Sequence, residues 1–154
     1  MNIRIKETVI ALTLCLVSLN TYAQSNDELI EKFYLSIGRA IRLPDNKSSC
    51  TMIKIEVSKL GYITDIALSD SADSLFNSAF ILQKKALDLE SIWLYIKRNK
   101  IKKTALLLPF YISFQHGPTI PFTQSRQFMQ FKKRDFLGKA IILKPGEIQI
   151  SEDQ

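Results

Sequence analysis

The spacing of apolar side chains changes several times along this chain, and each change marks an element. Val9 to Leu19 is an almost unbroken apolar run. From Ser25 the spacing turns helical, with Leu29, Ile30, Phe33, Ile37 and Ile41 recurring three or four residues apart on one stripe, which predicts an amphipathic helix. Ser25 and Glu28 have the form of a capping box, Asp27 and Glu28 suit the positive end of the helix dipole, Arg39 and Arg42 suit the negative end, and Pro44 forbids continuation. Four or five buried side chains at roughly 1.5–3 kcal/mol each outweigh the few tenths from each surface pair. Docking therefore holds this helix.

After the polar turn 45–49 the period falls to two. Ile53, Ile55 and Val57 alternate with Met52, Lys54, Glu56 and Ser58, the pattern of a half-buried strand. Ser58-Lys59-Leu60-Gly61 supplies a turn with glycine where a positive φ is needed, and the extended pattern resumes over 62–69 with Ile66 and Leu68 inward. These two strands predict an antiparallel hairpin. Asp70 to Ser74 is rich in capping types and leads into Leu75, Phe76, Ala79 and Phe80 at helical spacing. Asp88 offers a fresh cap for Leu89, Ile92, Trp93 and Ile96, which fall at i, i+3, i+4 and i+7.

A basic stretch, Lys97 to Lys103, precedes an apolar third strand over 104–115. Pro109 cannot donate to a ladder, which predicts an edge or a bulge. Beyond His116 the pattern is less regular. Gly117-Pro118 and Pro121 mark a loop, Phe128, Met129 and Phe131 an apolar cluster, and Lys132-Lys133-Arg134 a second basic run. Residues 140–143 and 147–150 flank Lys144-Pro145-Gly146 as a small hairpin or an extended arm.

The order helix, strand, strand, helix, strand predicts an α+β fold, a small antiparallel three-stranded sheet with two or three helices packed on one face. Hydrophobic residues make up 46% of the chain and glycine and proline number five each, which excludes a disordered or collagen-like protein. The expected division is a cleaved signal over 1–23, an α+β domain over 24–116 and a partly irregular carboxy-terminal extension over 117–154.

Arg4 and Lys6, the apolar run, and the small residues Thr21 and Ala23 have the layout of a secretory signal peptide, with cleavage after Ala23. A run of that length rises only about 16 Å as a helix, short of the roughly 30 Å hydrocarbon core. An exported product, periplasmic or secreted and without an integral span, is expected. Leu14 is too large to precede a lipidated Cys15. Removal of Cys15 would leave Cys50 alone, so no internal disulfide is expected.

Three stretches carry a family resemblance. Leu35 to Pro44 (LSIGRAIRLP), Thr51 to Asp73 (TMIKIEVSKLGYITDIALSDSAD) and Lys102 to Phe114 (KKTALLLPFYISF) resemble the helix end, hairpin and last strand of the TonB carboxy-terminal domain, in the form of a Bacteroidetes-type stand-alone module. The likeness spans about Leu29 to Phe114. It implies a protein-interaction module that takes up an extended segment of an envelope protein by strand addition. The strand to accept it would be the third, with Thr104, Leu106, Leu108, Phe110 and Ile112 as contact residues, and a sheet edge of this kind would also allow a homodimer.

Chemistry for catalysis is sparse. His116 is the single histidine, beside a Gly-Pro turn and without an Asp or Cys partner at recognisable spacing. No nucleophile elbow, zincin motif, P-loop or dinucleotide fingerprint occurs, and Asp65, Asp70 and Asp73 lack the spacing of a calcium loop. No enzyme, cofactor or metal site is expected. Lys and Arg number 21 against 15 Asp and Glu, a net charge of +6, which favours anionic partners. Export excludes nucleic acid from them. The alternative to strand addition is a basic, envelope-associated structural protein that binds an anionic cell-surface polymer through Lys97, Arg98, Lys100, Lys102 and Lys103.

Overall fold

The computed structural model describes residues 25–41, 48–114 and 126–150. The segment read as an export signal, Cys15 within it, and His116 lie outside these described residues.

Helix α1 (Asn26–Ala40) is capped as its sequence requires. The Glu28 N–H donates to Ser25 Oγ at 3.1 Å and the Ser25 N–H donates to Glu28 Oε2 at 2.8 Å, satisfying two donors that a helix start otherwise leaves unpaired. Strands β1 (Ser49–Val57) and β2 (Ile63–Leu68) form the expected hairpin. Gly61 takes φ +86° in the turn, and its N–H donates to the Ser58 carbonyl at 3.1 Å. Helix α2 (Ser74–Gln83) starts on Asp73, and a 3-10 turn over Lys84–Ala86 ends that helical stretch. Asp88 opens a separate helix, α3 (Leu89–Arg98), by accepting from both the backbone N–H and the hydroxyl of Ser91.

Strand β3 (Thr104–Phe114) lies antiparallel beside β1. Here the fold departs from expectation. Two short segments of the carboxy-terminal arm, β6 (Ala140–Ile142) and β7 (Gly146–Ile150), pair in parallel with the other side of β3. The sheet is mixed and five-stranded, in the order β2-β1-β3-β6 with β7 also on β3. The α+β class stands, and the three expected strands β1, β2 and β3 are antiparallel to their neighbours; the sheet is larger than expected because β6 and β7 add to it in parallel.

Pro109 shows how the arm fits. The Ala105 N–H donates to the Lys139 carbonyl, and the Leu107 carbonyl accepts from the Leu143 N–H. Odd-numbered residues of β3 therefore aim their ladder groups at the arm, and by the two-residue alternation Pro109 does so too. It has no N–H to offer. The arm breaks opposite it, β6 ending at Ile142 beside Leu107 and β7 starting at Gly146 beside Phe110. Pro109, expected at an edge or a bulge, sits inside the sheet at the seam between two short strands, where three residues of the arm stand opposite two of β3.

The three helices cover one face. Phe33 and Ile37 of α1, Phe76 and Phe80 of α2, and Ile92 and Ile96 of α3 share one core with Ile53, Ile55, Leu106, Leu108 and Phe110 of the sheet. The Phe110 ring stacks with both Tyr34 and Phe76, at centroid distances of 5.6 and 5.9 Å. The opposite face carries a 3-10 turn, Arg126–Met129, and a small hairpin of β4 (Gln130–Phe131) and β5 (Arg134–Asp135). There Phe128 and Phe131 pack on Met52 and Leu107. Residues 126–150 are thus built into the body, covering one face and closing one side of β3.

Candidate functional site

Thr104, Leu106, Leu108, Phe110 and Ile112 do not line an open edge. As even-numbered positions of β3 they direct their ladder groups to β1, and the side chains of Leu106, Leu108, Phe110 and Ile112 are at most 5% exposed beneath the helices. Thr104 donates its hydroxyl to the Lys139 carbonyl at 2.9 Å. The expected edge is corrected for a plain reason: the side of β3 that a foreign strand would use is held by β6 and β7.

At the other margin, β2 is occupied at its middle. The Ser69 N–H donates to the Met52 carbonyl, a register that turns the backbone groups of Ile66 outward. The Ile66 N–H donates to the Asp65 carboxylate at 2.8 Å, and the Ile66 carbonyl accepts from the Lys84 ammonium at 2.7 Å. Lys84 also pairs with Asp65 at 3.1 Å. Charged side chains on a strand margin oppose pairing with another chain. Burial alone would raise the Asp65 pKa, but the hydrogen bond and charge of Lys84 outweigh it and hold the carboxyl below its ordinary range.

Two groups of basic residues lie at opposite ends of β2. In the first, α3 closes with Lys97 and Arg98, and Lys100 then takes φ +53° while the Ile101 N–H reaches back to the Ile96 carbonyl at 3.0 Å. This is a helix stop in which glycine is the usual left-handed residue. Ile101 drops into the core and leaves Lys100 and Lys102 exposed. Lys103, at φ +49°, donates its N–H to the Ser58 carbonyl at 2.9 Å, which ties the start of β3 to the turn that carries Lys59. Lys139 arrives on the arm, its carbonyl held by Ala105 and Thr104. The ammonium of Lys97 lies 4.9 Å from the centre of the Trp93 ring.

Sequence reasoning found Lys97, Arg98, Lys100, Lys102 and Lys103 as a run and missed Lys59 and Lys139. Those two stand alone in sequence, and only the pairing of β3 with the turn and the arm brings them to the same end.

The second group is Lys132 and Lys133, the two-residue turn between β4 and β5, at φ +55° and +59°. Their N–H groups donate to the two carboxylate oxygens of Asp70 at 2.9 and 2.6 Å. The non-glycine residues with positive φ among the described residues are therefore all lysines. A left-handed φ costs a residue with a Cβ roughly 1–2 kcal/mol, which glycine would relieve.

Among the described residues no three His, Cys, Asp or Glu side chains converge to hold a metal ion. Cys50 is a half-buried free thiol whose pKa burial raises. No helix of the described residues is long and apolar enough to cross a membrane. Comparison with protein-family models, curated proteins and solved structures finds no match for this chain.

Proposed function

We propose that this protein is a basic binding module of the cell envelope, whose lysine-rich end engages an anionic component that presents its charges repeatedly. One observation carries the reading. The segments 58–62, 97–104 and 136–140 meet at the start of β3 and bring Lys59, Lys97, Arg98, Lys100, Lys102, Lys103 and Lys139 together, with no Asp or Glu in any of the three. Each exposed cation contributes little alone, and many acting on one polyanion add up. The envelope is inferred from the export-signal layout of residues 1–23.

Strand addition in the TonB manner takes second place. A foreign strand at β3 would first have to displace β6 and β7, and one at β2 would meet the Lys84 and Asp65 cap.

The test is binding to inorganic polyphosphate at rising salt. Affinity should fall steeply as the screening length shortens. The triple variant Lys100→Gly, Lys102→Ala, Lys103→Gly should lose most of the binding while its melting temperature holds or rises, because glycine relieves two left-handed lysines. Binding that is indifferent to salt and to these substitutions would remove the proposal.

A further inference from the structure

The lysine-rich end also carries apolar side chains that the folded chain leaves outside. Leu60, at the tip of the β1–β2 turn, is 76% exposed, and Leu137, on the loop before β6, is 93% exposed. Tyr62, which follows the turn, is 60% exposed. Single exposed leucines are ordinary on protein surfaces. These two are distinguished by their place. Leu60 follows Lys59 directly, and Leu137 stands two residues before Lys139. The Ser58 to Lys103 and Lys139 to Ala105 backbone bonds hold both loops at the start of β3. Leucine tips set among lysines, without a carboxylate in either loop, form a surface that is both greasy and cationic.

A soluble polyanion is strongly hydrated and gives a leucine side chain nothing. The boundary between headgroups and acyl chains gives it an apolar medium, accommodates lysine stems that carry their ammonium groups up to the phosphates, and favours tyrosine at headgroup depth. We propose that the anionic component is the surface of a lipid bilayer rich in anionic phospholipid, on which the protein lies with Leu60 and Leu137 inserted between its lysines. This rests on the reading above that the lysine-rich end binds an anion, and it narrows the partner to a membrane surface. The protein lies on the bilayer through loops.

The experiment uses the chain from Gln24 onward, which contains every described element and excludes the apolar run that would bind vesicles by itself. The protein should sediment with vesicles containing phosphatidylglycerol and stay in solution with pure phosphatidylcholine. The double variant Leu60→Ser, Leu137→Ser changes only exposed side chains. It should keep the amide spectrum and the polyphosphate affinity of the parent, while its partition onto phosphatidylglycerol vesicles falls at least tenfold. Unchanged vesicle binding by the leucine variant, or polyphosphate binding without vesicle binding, overturns the membrane inference and leaves the anion-binding reading intact. Failure of the parent to bind either polyphosphate or vesicles overturns both.

Discussion

The hydroxyl of Tyr34, on α1, donates to the carbonyl oxygen of Lys144 at 2.9 Å, in the break between β6 and β7. It also lies 3.2 Å from the Pro109 carbonyl. One proton serves two acceptors there, and the shorter bond goes to the arm. A Cβ on Gly146 would overlap ring carbons of the same tyrosine, so glycine opens β7 for steric reasons. The nearby Lys144 to Asp27 ion pair joins side chains that are 78% and 72% exposed, and contacts of that kind hold little. Tyr34 and the β3 ladder fasten the arm.

Tyr34→Phe should therefore destabilise the protein by about 1–2 kcal/mol and loosen β7 before it loosens β1. Hydrogen exchange would read this as faster exchange at Gly146 and Glu147 than at Ile53 and Ile55.

The same hydroxyl sets an alkaline limit. Burial pushes the Tyr34 pKa well above its ordinary value of 10.0, against a smaller opposite effect from a backbone hydrogen bond at Gly146. Above that ordinary value the unfolded chain has lost the phenol proton and the folded chain still holds it. The unfolded state then binds fewer protons, so the contribution is complete below about pH 10 and is lost as the pH climbs further. Thermal melts across that range should show falling stability, with a shallower fall in Tyr34→Phe. An equal fall in the variant would assign the effect to Tyr95 and Tyr111, whose pKa values burial also raises.

Asp70 gives a third prediction. Its carboxylate accepts from two consecutive N–H groups whose residues are held left-handed. Asp70→Ala leaves both to solvent and should cost about 1 kcal/mol, since the site is exposed and water replaces part of the loss. The effect should reach the outer face, where Phe131 belongs to the same hairpin. A urea titration followed by the amide signals of Lys132 and Lys133 checks it, and Asp70→Asn should recover part of the stability through its remaining carbonyl.

What could be read from sequence was what is settled within a few residues. The Ser25 and Glu28 cap, the glycine at position 61, the Asp88 start of α3 and the inward alternation of Ile53, Ile55 and Val57 each depend on neighbours in the chain. The arm does not. Ala140–Ile142 is three residues long and exposed, so it has no buried periodicity, and its partner lies more than thirty residues away. Pro109 announced a missing donor without saying which neighbour would lack it. The convergence of Lys139 on the basic run follows from that same unread pairing, and that of Lys59 from the bond by which the Lys103 N–H donates to the Ser58 carbonyl.

The Lys84 cap on Ile66 yields the fourth prediction. Its salt bridge to Asp65 joins side chains each 39% exposed, so the ion pair itself is worth less than about 1 kcal/mol. Lys84→Ala should accordingly change stability little. It should instead leave the Ile66 carbonyl facing outward beside the unpaired side of β2, which is the condition under which strand margins pair between chains. Sedimentation velocity over a concentration series should show self-association in Lys84→Ala beyond that of the parent, while Lys84→Arg, which keeps a charged donor, should behave as the parent does. Identical behaviour of all three proteins would mean that the ammonium does not guard this margin and that some other feature of β2 does.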